Sequence, residues 1–232
     1  MKPKMVWKLA VDLAMTVALL LLMAYGLVGE AAHEWIGIGM FLLFILHHIL
    51  NGSFGRNILK GKYSPVRIVQ TALVFLILCA MTGSMVSGVI LSRYALSFLP
   101  IKGGLSLARN MHMICAYWGF VLMSVHLGVH WSMVLGMAKK LFRKSSAVRK
   151  WTGRILALII AGYGIYAFAK RDIGDYMFLR SHFVFFDYEE PLLFFYMDYI
   201  AVMGLFVFLG YYVCVGLRML GRDRKGEDTD EK

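Results

Sequence analysis

The sequence is poor in the residues that build a water-soluble protein. Only 17% of its 232 residues are charged and only four are proline, against roughly 25% charged in soluble domains. Acids are scarcer than bases, 14 Asp and Glu against 25 Lys and Arg. Three cysteines, Cys79, Cys115 and Cys214, all lie inside apolar runs. No CxxCH occurs, which argues against covalent c-type haem, and no CxxC, which argues against a zinc or thioredoxin-like site. A glycine-rich GxGxxG after a strand and a Walker A motif are both missing, so the usual nucleotide-binding folds are excluded. The alternating pattern of an outer-membrane barrel is missing too.

What the chain has is long apolar runs: 59% of it is hydrophobic. A helix needs about 20 apolar residues to cross the bilayer core. Six stretches qualify: 9–29, 33–52, 68–92, 111–137, 153–169 and 192–217. The fold class expected is therefore all-α, an integral membrane bundle of six transmembrane helices. The first apolar stretch is too long for a secretory h-region and reads as an uncleaved span. Residues 1–137 are expected to form a haem-binding four-helix core. Residues 138–220 add two helices and an aromatic loop, and 221–232 a disordered charged tail.

The net charge of +11 does not point to nucleic acid, because the basic residues sit in short segments between apolar runs. With the N-terminus inside, they divide 19 to 6 in favour of the inner segments. That bias places both termini in the cytoplasm.

Six of the seven histidines lie in the second and fourth spans: His33, His47, His48, His112, His126 and His130. His33 to His47 is a step of 14 residues, and so is His112 to His126. Fourteen residues rise about 21 Å and complete nearly four turns, so each pair lies close to one helix face. The two spans run in the same direction, which sets His33 level with His112 and His47 level with His126. A lone membrane histidine is more often an interhelical hydrogen-bonding residue. Equal spacing on two parallel helices instead suggests two axial cages, each holding a non-covalent haem b through two imidazoles. Two haems stacked across the membrane make an electron wire.

Other polar residues are more ambiguous. Three roles stay open for His130: partner of a haem propionate, lining of a quinone pocket, or replacement of His126 as ligand. His48 is turned about 100° from His47, and His182 reads as a surface residue. Arg109 and Arg93 are placed to pair with propionates of the outer haem, though a plain membrane-surface role explains them equally. Gly37, Gly39, Gly119 and Gly128 leave room for a macrocycle or for helix packing. Ser84, Ser87 and Ser92 read as a packing face. Asp12 and Asp198 are intramembrane acids, suited to proton handling at a quinone site or to a helix partner.

The motifs His33-Glu34-Trp35-Ile36-Gly37, Leu46-His47-His48-Ile49-Leu50-Asn51, Ser87-Gly88 with Ser92, and Met111-His112 leading to His126-Leu127-Gly128-Val129-His130-Trp131 carry a family resemblance. Over roughly 1–137 the chain resembles the flavinylation-associated transmembrane cytochromes. The resemblance implies a b-type cytochrome of a prokaryotic cytoplasmic membrane, working beside extracytosolic proteins with covalent flavin. The flavin attachment signature is not evident here, so the flavin would sit on a partner. The outer segment 175–199, rich in aromatics and acids, is then the candidate docking surface, although an aromatic belt at the membrane interface is the commoner reading of such a segment.

The expected function is transmembrane electron transfer, as a component of an oxidoreductase system, to or from an extracytosolic flavoprotein or other redox protein. Two rivals remain: the cytochrome subunit of a quinone-linked oxidoreductase, and a haem-free metal or proton transporter. His47→Ala or His126→Ala should remove the inner haem alone, and His33→Ala or His112→Ala the outer one alone. Haem quantification checks this; two haems in His126→Ala with one in His130→Ala would transfer the ligand to His130.

Overall fold

The computed structural model describes residues 3–58, 60, 61, 63–101, 103–141 and 146–230. It is all-α, with ten helices among those residues. They are α1 (Pro3–Met23), α2 (Tyr25–Val28), α3 (Glu30–Leu50), α4 (Ser53–Asn57), α5 (Pro65–Leu91), α6 (Leu105–Val129), α7 (Trp131–Leu141), α8 (Ala147–Lys170), α9 (Ile173–Met177) and α10 (Leu192–Asp230). Six of them are long and apolar enough to cross a membrane: α1, α3, α5, α6, α8 and the Leu192–Leu220 part of α10. The protein is thus an integral membrane protein. Helices suit that setting because lipid offers no partners for backbone N–H and C=O groups.

Helix ends follow local chemistry. Pro3 and Pro65 open α1 and α5, where a missing N–H costs nothing. Ser64 caps α5 by accepting the Arg67 N–H at 3.3 Å. Gly29 separates α2 from α3 with φ +89° and ψ 151°, a region essentially closed to other residues. Asn51 closes α3 by donating its side-chain amide to the His47 carbonyl at 2.9 Å.

Two boundaries differ from the sequence reading. The fourth span is not continuous over 111–137. It starts earlier, at Leu105, and breaks at His130 between α6 and α7. His112 therefore lies two turns inside its helix rather than at its start. The last helix continues to Asp230 through the stretch expected to be disordered, which contains no proline to stop it.

The chain forms two compact units. The first joins Met1–Gly61, Cys79–Trp118 and Gly174–Met197; the second joins Lys62–Leu78, Gly119–Ile173 and Asp198–Lys232. In the first unit α1 packs along α3. Gly83 of α5 lies against α6, where an added Cβ would come 2.5 Å from Cys115 Sγ. Trp118 donates to the Met177 carbonyl at 3.0 Å, tying α6 to α9.

The second unit is assembled on glycines. Cβ atoms added at Gly128 and Gly210 would run into the backbone at Val207 and Val125, and one at Gly164 into that at Ala201. Small residues let membrane helices approach this closely and supply much of their packing. Gly128 thus serves helix contact, one of the two uses the sequence left open. The buried ring of Phe120 meets Tyr199 edge-on at 5.6 Å. Asp198 is 1% exposed and receives Tyr163 Oη at 2.5 Å, Lys170 Nζ at 2.8 Å and Arg171 Nη2 at 2.6 Å. It is a helix partner, linking α10 to the far end of α8.

The glycines are not equivalent. Gly128→Leu must push backbone aside and should destabilise by more than the about 1–3 kcal/mol of ordinary overpacking. Gly204→Ala meets only the Ile160 side chain and should cost less. Thermal unfolding of the two variants in detergent checks the order.

Candidate haem site

Two histidines from different helices meet in the first unit. His33 sits in the first turn of α3 and His112 in the third turn of α6. Their ring centroids are 6.0 Å apart with planes at 72°. Two imidazoles each bonded to one metal at about 2 Å hold their centroids roughly 6 Å apart. The spacing therefore fits two imidazoles that would share one metal ion.

The hydrogen bonds around His112 decide which nitrogen can bind. Its Nδ1 lies 3.1 Å from the Ser84 carbonyl and 3.1 Å from Ser87 Oγ. A carbonyl only accepts, so Nδ1 carries the proton and Nε2 keeps its lone pair. The hydroxyl of buried Ser87 donates to the Gly83 carbonyl at 2.6 Å, which leaves its oxygen free to accept from the imidazole. Histidines that bind metals commonly have their second nitrogen fixed in this way. Across from it, the His33 ring is held by the Leu22 backbone, though its buried Nδ1 makes no hydrogen bond of good geometry.

Glu34 fixes the height of His33. Its carboxylate accepts the backbone N–H groups of Arg93, Tyr94 and Ala95 at 2.8, 2.9 and 2.8 Å, and Ser92 Oγ at 2.7 Å. Successive N–H groups make an anion-binding nest. Here the anion belongs to the residue next to His33, so α3 is locked to the end of α5. The same α5 supplies Ser84 and Ser87 to His112. Ser84, Ser87 and Ser92, read from sequence as a packing face, thus all take part in polar contacts.

The other end of α3 has its own network. His47 Nδ1 lies 2.8 Å from Asp12 Oδ1. A carboxylate orients an imidazole and leaves Nε2 as the coordinating atom. Lys8 donates to Asn51 Oδ1 at 2.8 Å, so α1 holds the last turn of α3 at two points. Asp12 is a helix partner, one of the two uses the sequence left open, and what it engages is a candidate ligand. His48 bonds the Phe44 carbonyl at 2.9 Å and is exposed.

His126 belongs to the second unit, with His130 at a ring distance of 4.8 Å. The structure thus brings His33 and His112 together, while His47 and His126 have neighbours in their own units. Arg93 is exposed and lies 3.9 Å from Glu30; Arg109 is exposed. Among the described residues, no three or more His, Cys, Asp or Glu converge on a point where they could hold a metal ion. A structural zinc site needs four such ligands, whereas a bis-histidine haem needs two.

Sequence could have flagged Glu34, since an acid beside a candidate ligand near a span end needs a partner. Glu34→Ala should cost about 2–4 kcal/mol, because several donors lose a charged acceptor together. Thermal unfolding in detergent reads the loss, and Glu34→Gln should recover part of it. No protein-family model, no curated protein and no solved structure matches the chain.

Proposed function

We propose that this membrane protein is a b-type cytochrome that carries electrons across the bilayer through two bis-histidine haems. The observation that carries the reading is the His33–His112 pair, with centroids at 6.0 Å and the His112 Nδ1 proton committed to Ser84. Haem b, when bound, supplies an iron that takes up and releases one electron at a time. The residues do the rest. His33 and His112 offer the two ligating nitrogens of one site. Ser84 and Ser87 hold the His112 tautomer, and Glu34 sets the height of α3. At the other site Asp12 orients His47, and the sequence spacing names His126 as its partner.

Taken with the lysine and arginine bias, the His33 site lies on the outer side of a prokaryotic cytoplasmic membrane. The electron partner proposed is an extracytosolic protein bearing flavin, on the strength of the family resemblance. Quinone-linked oxidoreduction is the nearest rival, and Asp12, one of its two proposed residues, is already engaged by His47. A histidine-based metal transporter is supported less, since the metal clusters it needs are not found among the described residues.

A dithionite-reduced minus oxidised spectrum of the purified protein, with haem quantified per chain, tests the reading. The expected result is a b-type spectrum with about two haems per chain, falling to one in His112→Ala with the fold retained by circular dichroism. Ser87→Ala should keep both haems and shift the potential of one, because it changes the hydrogen bonding of one ligand. A haem-free protein from haem-replete cells would overturn the proposal.

A further inference from the structure

The His33–His112 pair is joined to the aromatic segment at 183–188 by a short series of rings, all within the first unit. The Tyr25 ring meets His33 edge-on, with centroids 5.2 Å apart and planes at 83°. On its other side Tyr25 meets Phe186 at 6.4 Å. Phe186 is flanked in the chain by Phe185 and, two residues on, Tyr188, which are 71% and 75% exposed. Phe183 stacks edge-on against Phe185 at 5.0 Å. The ring contacts therefore run from a candidate iron ligand through Tyr25 to Phe186, whose chain neighbours are at the surface.

Two details show that the series is built. Gly26 makes room for the Phe186 ring: an added Cβ would stand 2.5 Å from Phe186 Cδ2. The Tyr25 hydroxyl donates to Glu30 at 3.0 Å. Aromatic pairs at 4.5–7 Å are in packing contact, and electron tunnelling through packed rings is faster than across a gap.

We propose that Tyr25 and Phe186 form the electron exit between the His33–His112 site and an outside one-electron acceptor, an inference that rests on the haem reading above. A haem held by His33 and His112 would supply each electron by going from ferrous to ferric, and the acceptor would be reduced by one. No bond forms or breaks, and the Tyr25 proton stays on its oxygen. The rings act as a path, so the ring matters and the hydroxyl does not.

Stopped-flow oxidation of the dithionite-reduced, haem-loaded protein by ferricyanide tests this. Tyr25→Leu and Phe186→Leu should each slow the reaction about tenfold at unchanged haem content, spectrum and potential. Tyr25→Phe should keep the parent rate. Gly26→Val, which displaces the Phe186 ring without removing it, should slow the reaction like Phe186→Leu, and it carries the test if Tyr25→Leu fails to load haem. A second readout needs no haem. In haem-free chain with the three native cysteines replaced by alanine, Gly26→Cys with Phe186→Cys should form a disulfide on mild oxidation. Parent protein without haem would defeat the cytochrome reading itself. Loaded variants oxidised at the parent rate, or a cysteine pair that stays reduced, would overturn the exit alone.

Discussion

Lipid offers no hydrogen bonds, so each polar group placed at membrane depth must find its partner within the protein. The structure is organised around meeting that demand. Asp198 gathers a tyrosine and two cations. Glu34 gathers four donors from the end of α5. Asp12 takes the His47 proton side, and Ser84 takes that of His112. Each acid settles a positional question: which helix is level with which, and which imidazole nitrogen is left to bind.

The two units solve packing by different means. The second relies on backbone contact at Gly128, Gly164 and Gly210, where van der Waals packing replaces the hydrophobic drive that lipid removes. The first uses charge-assisted contacts between ends of helices, at Glu34 and around Asn51. Polar anchors of this kind fix register along the helix axis. A site that must hold two rings at one height needs register more than it needs tight packing.

Much of this was legible in the sequence. Six apolar runs announced six long helices, and the 14-residue histidine interval announced a matched pair, since both signals depend on period alone. His33 and His112 do meet. The partners were harder to see. Asp12 and His47 are 35 residues apart and Glu34 and Ala95 are 61 apart, and nothing local in either stretch declares the pairing. The break at His130 was also hidden, because the apolar run continues through it without glycine or proline at the break itself. Serines at 84, 87 and 92 looked like a small face because size is visible in a sequence and the direction of a hydroxyl is not.

Helix α3 is held at both ends, by Glu34 against α5 and by His47 and Asn51 against α1. Between those holds run only 12 residues from Trp35 to Leu46. The helix is in effect a rod cut to length, with a fitting at each end and no slack between them. One residue more or less would turn one fitting by about 100° and shift it by 1.5 Å. Its length is fixed by those two fittings. The span is therefore a ruler, and what it measures is the separation between His33 and His47.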